Sequence, residues 1–228
     1  MDQSDNTIWQ RRVQVGAERL SGWVDRFRQA HGRTEWQVEP EEVLLSSADG
    51  ARARLVNLWE PMPAQASPGE AIRHLTRDRR LGIILGRKAS HAVGIAQGPT
   101  LVTSKVDTSY VQGRTKAGGW SQQRYARRRG NQGDKAVEDT VERCLTRLLP
   151  EVDQLEAVVT GGDAGFIEAV LADRRLGPLA ALRTRHPVIP VPDPRLTVLE
   201  DSIALFRATP VDLNEQALFQ PGRPSPRG

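Results

Sequence analysis

The chain has 228 residues, of which 38% are hydrophobic and 26% are charged, a composition typical of a soluble globular protein with a buried core. No apolar run approaches the roughly 20 residues of a membrane-spanning helix, and the acidic, polar start lacks the pattern of a signal peptide. A single cysteine, Cys144, excludes an internal disulfide and a cysteine-based zinc site. We therefore expect a cytoplasmic protein.

The first third of the chain predicts one amphipathic helix followed by a β-hairpin. Apolar residues at i, i+3, i+4 and i+7 give residues 17–31 a single apolar face, and the helix ends near Gly32. Two strand-like runs, 43–47 and 51–59, flank an Asp-Gly pair at 49–50, which suits a turn that needs positive φ. A proline-rich linker then leads into the main domain.

The main domain begins with a helix over residues 70–79 and three closely spaced strands over 81–86, 91–96 and 101–111. The turns between these strands are too short for crossovers, so we expect an antiparallel meander.

Alternating helices and strands follow the meander. Apolar spacing predicts a helix through Val137, Val141, Cys144, Leu145 and Leu148, which Asp134 could cap, with Cys144 as a small core residue. A strand over 155–160, a helix over 164–172, a short strand over 187–191 and a helix over 196–208 complete the pattern.

This order predicts an α/β fold with a mixed sheet, the layout of ribonuclease H-like folds, joined to a small N-terminal helix-plus-hairpin unit. The expected divisions are the N-terminal unit with its linker (1–69), the main domain (70–208) and a flexible C-terminal tail (209–228).

Positive charge is concentrated between the third strand and the following helix, in Gly113–Gly133, which reads GRTKAGGWSQQRYARRRGNQG. From Gln112 to Lys135, seven basic residues oppose one acidic residue, a net charge of +6, whereas the whole chain carries +4. Such a concentration is typical of a surface that meets a phosphate backbone, although a solvated arginine-rich helix face gives the same pattern.

The residues beside these charges favour the nucleic-acid interpretation. Two consecutive glycines, Gly118 and Gly119, let a backbone approach a ligand where a Cβ would clash. A nearby glutamine offers amide donors and an acceptor to a reacting centre, and arginines pair bidentately with phosphates. Tyr125 could stack on a base or pack inward. The set suits positioning of water at an ester bond in an RNA-walled site, without a metal.

This segment resembles the class I termination factors of eukaryotes and archaea. Their peptidyl-tRNA-hydrolysing domain is ribonuclease H-like and carries Gly-Gly-Gln-Ser-x-x-Arg-Phe-Ala-Arg-x-Arg. The chain aligns without a gap over Gly118–Arg129, matching Gly-Gly, Ser121 and the Arg-aromatic-Ala-Arg-x-Arg run. The resemblance covers roughly Leu81–Ala208, and Trp120 stands where that family carries its catalytic glutamine.

A related branch, the Vms-like release factors of ribosome quality control, carries Gly-x-x-Gln variants preceded by Arg-x-Lys, which Arg114 and Lys116 match. The chain is most similar to its actinobacterial members, which act as peptidyl-tRNA hydrolases. In that branch the glutamine lies a residue or two later, so the resemblance implies Gln122 as the catalytic glutamine, with Gln123 behind it. Trp120 would be a wedge or stacking platform against RNA, or would fold back on its own domain.

The resemblance implies a peptidyl-tRNA hydrolase that frees nascent chains from stalled large ribosomal subunits, with Gly118 and Gly119 giving close backbone approach. Its expected partners are ribosomal RNA and peptidyl-tRNA, and we expect a monomer with no cofactor and no membrane association. The expected RNA-binding residues are Arg114, Lys116, Trp120, Arg124, Arg127, Arg128 and Arg129. The alternatives are a tRNA 3′-end endonuclease and a non-catalytic ribosome- or RNA-binding module.

Other candidate residues have structural interpretations. The histidines form no metal-binding pair in the sequence, so we expect no metal site; they are His31, His74, His91 and His186. A two-metal nuclease would need converging acids, but Asp107 and Asp163 are better interpreted as solvated or capping groups. Gly161-Gly162-Asp163 predicts an α/β turn with an aspartate cap.

Overall fold

The computed structural model describes residues 8–63, 65–87, 90–108 and 122–219, with helix side chains described from Asp134 onward in the long central helix. The chain divides into two compact units, each with its own hydrophobic core. The first unit combines residues up to Arg77 with those from Arg207, and the second is Asp78–Phe206.

The elements follow one another in this order. The chain begins with β1 (Arg11–Val15), α1 (Ala17–His31), β2 (Thr34–Glu39), β3 (Glu42–Ser47), β4 (Arg52–Val56) and α2 (Pro68–Thr76). The second unit contains β5 (Arg80–Arg87), β6 (Ser90–Gln97), β7 (Thr100–Thr108), α3 (Gln122–Arg147), β8 (Ala157–Gly162), α4 (Ala164–Leu171), α5 (Gly177–Ala181) and α6 (Leu196–Phe206). The chain then returns to the first unit with β9 (Thr209–Leu213) and α7 (Glu215–Leu218).

The first unit is an antiparallel sheet with the strand order β1-β9-β4-β3-β2. Its core lies between the sheet and the helices α1 and α2, where Leu20, Leu45 and Leu55 are fully buried. The predicted helix over 17–31 and the predicted hairpin are confirmed, and Gly50 adopts the positive φ (88°) that the turn between β3 and β4 needs.

The first unit differs from the sequence expectation in its C-terminal part. Residues from Thr209 onward were expected to be a flexible tail, but β9 pairs with β1 and β4 in the middle of the sheet. All five residues of β9 are buried, including the charged Asp212. The sequence pattern misses this strand because Thr209-Pro210-Val211-Asp212-Leu213 has no clear alternation, and its charged residue is neutralised by neighbouring strands rather than by water.

The second unit has a four-stranded mixed sheet in the order β7-β6-β5-β8. Strands β5, β6 and β7 form the predicted antiparallel meander, and β8 lies parallel to β5. This arrangement confirms the predicted α/β fold class with a mixed sheet. The predicted strand over 187–191 is reduced to an isolated parallel bridge between Gly161 and Ile189.

One face of this sheet carries α3 and α4, and α6 contacts β6 and β7. Ile84, Val93, Ile95 and Val158 form a buried cluster with apolar residues of α3 and α4. Gly94 on β6 leaves room for Leu199 of α6, because a Cβ at this glycine would lie 3.0 Å from the leucine Cδ2. On the face that carries α3, the apolar residues of this long helix pack against the sheet.

Candidate functional site

The residues that the sequence predicts for the site lie between β7 and the first turns of α3. Five of them lie outside the described residues, namely Arg114, Lys116, Gly118, Gly119 and Trp120. The other six lie in the first part of α3, where the backbone is helical and the side chains are outside the described part, namely Gln122, Gln123, Arg124, Arg127, Arg128 and Arg129. The structure therefore places both candidate glutamines at the start of the helix that follows β7.

Helix α3 is longer than the sequence predicted. It extends from Gln122 to Arg147, about 39 Å at 1.5 Å per residue, and Asp134 lies inside it instead of capping its start. The apolar spacing that predicts a helix begins only at residue 136 or 137, because the preceding residues have no apolar face. Glutamine, arginine and alanine nevertheless favour helix formation, and the helix extends through them.

Among the described side chains of α3, which begin at Asp134, burial against the sheet begins at Ala136. Asp134 and Lys135 are exposed, and Ala136 is buried. From there the buried face continues through Thr140, Val141, Cys144 and Leu148. The prediction that Cys144 is a core residue is confirmed, and burial raises the pKa of its thiol to about 12, so the reactive thiolate is disfavoured.

An ion pair joins α3 to the end of β7. Arg143 Nε of α3 donates a hydrogen bond of 2.6 Å to Asp107 Oδ2, and Lys105 Nζ lies 3.8 Å from the other carboxylate oxygen. Asp107 was interpreted from the sequence as a solvated or capping residue, and this interpretation is wrong, because its side chain is only 31% exposed and pairs with α3. A charge-assisted hydrogen bond of this kind can hold a helix in place.

A buried histidine lies beneath this ion pair. His91, at the start of β6, faces Asp107 across the antiparallel ladder and is only 2% exposed. Its Nε2 lies 3.6 Å from Asp107 Oδ2, which is too far for a hydrogen bond, and neither ring nitrogen has a hydrogen-bond partner within the described residues. Burial lowers the pKa of His91, against the attraction of Asp107 and Asp139, so the ring is neutral at neutral pH.

A second, exposed ion-pair cluster holds α3 at another position. Arg175, in the short 3-10 helix Arg174–Leu176, donates to Glu142 (2.8 Å) and Glu138 (3.2 Å) of α3 and to Asp173 (2.8 Å). The hydrogen bonds from Arg175 lower the pKa of Asp173 to about 2. This cluster has no member on β7, so the two clusters fix α3 independently.

The turn after β8 is structural. Gly162 has a positive φ of 112°, and its Cα lies so close to Gly86 that a side chain would strike the Gly86 carbonyl. Asp163 caps α4 by accepting a hydrogen bond of 2.9 Å from the Phe166 amide. The predicted α/β turn with an aspartate cap is therefore confirmed.

The part of the chain that the structure describes contains no group of three or more His, Cys, Asp or Glu side chains arranged to hold a metal ion. Among the same residues, no helix combines the length and the apolar character needed to cross a lipid bilayer.

The sequence did not indicate the cluster of His91, Asp107 and Arg143. Each residue comes from a different element, and 52 positions separate His91 from Arg143, so no local spacing relates them. The available signal was weak: one acidic residue, Asp107, near the end of a predicted strand.

Comparison with known proteins gives one family match. The model of a family described as the Actinobacteria/chloroflexi VLRF1 release factor matches residues 79–212, more than half of the 228 residues. The matched span contains β5 to β7, the arginine-rich residues Gly113–Gly133 and all of α3. A search of curated proteins finds no match.

Among solved structures, the chain is similar to an archaeal translation termination factor, aRF1, with 15% identity and a TM-score of 0.43. The similarity covers 83% of this chain and 62% of that factor. A second structure, described as an archaeal protein, is 14% identical with a TM-score of 0.38, and the similarity covers 87% of this chain and 66% of that protein. The chain thus spans less than two thirds of the length of either structure.

Proposed function

We propose, since the chain belongs to the family of Actinobacteria/chloroflexi VLRF1 release factors, that it is a peptidyl-tRNA hydrolase. In the cytoplasm it would free nascent chains from stalled large ribosomal subunits, acting as a rescue factor in ribosome quality control. Its partners would be ribosomal RNA and peptidyl-tRNA, and it would act as a monomer without a cofactor.

One observation carries this proposal. The family match over residues 79–212 includes the segment in which Gly-Gly, Ser and the Arg-aromatic-Ala-Arg-x-Arg run share one register. The same segment connects β7 to α3, two elements with described backbones on a common sheet. A segment between a strand and a long helix would be able to enter a narrow site while the sheet stays outside it.

The proposed chemistry needs close approach and a positioned water. Gly118 and Gly119 would let the backbone approach the ester that links the peptide to the 3′-terminal adenosine. The amide of Gln122 would orient the attacking water, with Gln123 as the second candidate. Orientation of this kind contributes up to about 7–11 kcal/mol to a barrier, and the ribosomal site would supply the remaining catalysis.

The basic residues would hold the factor on RNA. Arginine forms paired hydrogen bonds with phosphate, and the net charge of +6 between Gln112 and Lys135 favours association with a polyanion. Trp120 would stack on a base or act as a wedge. The residues assigned to this role are Arg114, Lys116, Arg124, Arg127, Arg128 and Arg129.

Product analysis tests the proposal. Large subunits carrying peptidyl-tRNA are incubated with the protein, and both the RNA and the peptide are analysed. We expect intact deacylated tRNA and free peptide. Peptide still attached to a short 3′ tRNA fragment would identify an endonuclease instead, and subunit binding without cleavage would identify a non-catalytic binding module, the outcome that Trp120 in place of glutamine would favour.

The same assay assigns the glutamine. We expect Gln122→Ala to reduce the hydrolysis rate by about a hundredfold or more, because water positioning is lost, while Gln123→Ala keeps most of the rate. Subunit binding, measured by co-sedimentation, should be the same for both variants. Full activity of Gln122→Ala would contradict this assignment, and a large loss in Gln123→Ala alone would transfer the role to Gln123.

A further inference from the structure

The ion pair of Asp107 and Arg143 connects the end of β7 to α3. Asp107 is next to the last residue of β7, and Arg143 belongs to the packed half of α3. These are the two elements on either side of residues 109–121. The 2.6 Å hydrogen bond between them therefore links the strand before residues 109–121 to the helix after them.

The buried histidine approaches the same oxygen as the arginine. His91 Nε2 is 3.6 Å and Arg143 Nε is 2.6 Å from Asp107 Oδ2. The other charged groups that act at this point are Lys105 of β7, 3.8 Å from Asp107 Oδ1, and Asp139 of α3, whose charge acts on His91. A proton on His91 would place a second cation beside that oxygen and beside Arg143.

A histidine whose only role was to fill this buried position would be energetically unfavourable. Buried polar groups in proteins are nearly always hydrogen-bonded, yet both ring nitrogens of His91 lack such partners within the described residues. A leucine would fill a similar volume without two buried polar atoms. What histidine adds is a basic nitrogen that can gain a proton next to Asp107.

We propose that Asp107 and Arg143 are positioning residues that fix α3, and with it the residues at its start, to the end of β7, and that protonation of His91 loosens this anchor. The proposal rests on the proposed hydrolase function, since the residues to be positioned include Gln122 and Gln123.

The direction of the pH effect follows from the geometry. Protonated His91 would need to move less than 1 Å closer to donate a hydrogen bond to Asp107 Oδ2, and its charge would repel Arg143. Because burial lowers the pKa of His91, the bond between Asp107 and Arg143 stays intact at neutral pH. It weakens only on the acid side of the ordinary histidine range.

Removing the anchor should reduce the rate of reaction more than binding. We expect Asp107→Asn and Arg143→Gln each to lower kcat on peptidyl-tRNA-bearing large subunits by about tenfold or more, with KM changed by less than about twofold, because misplacement by about 1 Å can cost a hundredfold. Arg143→Lys, which keeps a cation, should recover part of the rate. Circular dichroism melting curves identify any variant that fails to fold.

The second cluster on α3 supplies a matched control. Arg175→Gln removes three ion pairs, two of them to α3, but leaves β7 untouched. We expect this variant to keep wild-type kcat. Equal losses in Arg175→Gln and Asp107→Asn would overturn the proposal, because they would reflect general loosening of the helix, and a wild-type kcat in Asp107→Asn would overturn it directly.

The histidine is tested by the pH profile. His91→Leu should keep kcat within about twofold of wild type near neutral pH and should lack the acid-side fall of the wild-type protein below about pH 6.5. The intrinsic pH dependence of ester hydrolysis is the same for both proteins, so it cancels when the wild-type rate is divided by the variant rate at each pH. Profiles that coincide at every pH would overturn the role of His91.

A readout without the ribosome separates this inference from the proposed function. Hydrogen–deuterium exchange of residues 122–135 in the free protein should be faster in Asp107→Asn and Arg143→Gln than in Arg175→Gln, and faster in the wild type at acidic pH than in His91→Leu. If the wild-type protein hydrolyses no peptidyl-tRNA, the proposed function fails, and the exchange rates alone test the anchor. The exchange pattern just described would then support the anchor, and equal exchange in all these proteins would overturn it.

Discussion

At the scale of single residues, His186 is a buried histidine with both ring nitrogens satisfied, in contrast to His91. Its Nδ1 lies 2.7 Å from Thr184 Oγ1, and its Nε2 lies 3.1 Å from the Phe206 carbonyl oxygen, which can only accept. The ring is therefore neutral, with the proton on Nε2 and the threonine hydroxyl donating to Nδ1. Burial lowers the pKa of His186 to about 4, although the bond to Phe206 opposes the shift.

This shift predicts a loss of stability in acid. The unfolded chain binds a proton near the ordinary value of 6.5, whereas the folded protein does so only near 4. The contribution of His186 is thus complete above about pH 6.5 and is lost as the pH falls towards 4. Between about pH 7.5 and pH 5 we expect a loss of about 2 kcal/mol in the free energy of unfolding, measured by urea titration with circular dichroism.

Two variants separate this effect from other titrating groups. His186→Gln should be less stable at neutral pH but should lack about 2 kcal/mol of the acid-dependent loss. Thr184→Val keeps the histidine and should keep the acid-dependent loss. An identical pH dependence in His186→Gln and the wild type would show that other groups cause the acid sensitivity.

At the scale of elements, the sequence predicts those that show either a simple periodicity or an apolar run between turn signals. Helix α1 and the hairpin of β3 and β4 have a periodic pattern, whereas β5 and β6 are apolar runs that are buried on both faces, and the structure confirms these elements. Strand β9 shows neither signal, because Pro210 and Asp212 interrupt its apolar residues. Its burial depends on Arg12 and Arg54 of the neighbouring strands β1 and β4, which sequence spacing cannot place beside it.

The functional residues also fall into two groups, those that a local sequence pattern could predict and those that it could not. Residues Gln122 and Gln123 and their basic neighbours stand in one continuous segment, so a local pattern was sufficient to propose them. The ion pair of Asp107 and Arg143, with His91 beside it, is assembled by strand pairing between β6 and β7 and by packing of α3 on the sheet. Its members become neighbours only in the folded chain, and no local pattern could bring them together.

At the scale of the whole molecule, the order of elements in space differs from their order in the chain. The first unit is made from both ends of the described sequence, because β9 is inserted between β1 and β4. Val211 and Leu213 of β9 complete its core, and Asp212 accepts hydrogen bonds of 2.6 and 2.8 Å from Arg12. Burial opposes ionisation of Asp212, but the bonds from Arg12 and Arg54 outweigh it and lower the pKa of this carboxyl.

The two units should therefore respond differently to truncation after Phe206. The first unit would lose the burial of Val211 and Leu213, about 3–6 kcal/mol in total, and the hydrogen bonds that Arg12 and Arg54 donate to Asp212. Because domains are stable by only about 5–15 kcal/mol, we expect this unit to unfold. The second unit, Asp78–Phe206, keeps its sheet and core and should still unfold cooperatively by circular dichroism.

Tryptophan fluorescence distinguishes the units, since Trp9, Trp23, Trp36 and Trp59 all belong to the first unit and Trp120 alone belongs to the second. The truncated chain should show the red-shifted emission of exposed indoles while its second unit retains a thermal transition. A chain ending at Phe219 keeps β9 and α7 and should match the full-length emission. Native emission from the chain ending at Phe206 would show that the first sheet is stable without β9, contrary to the energetic argument.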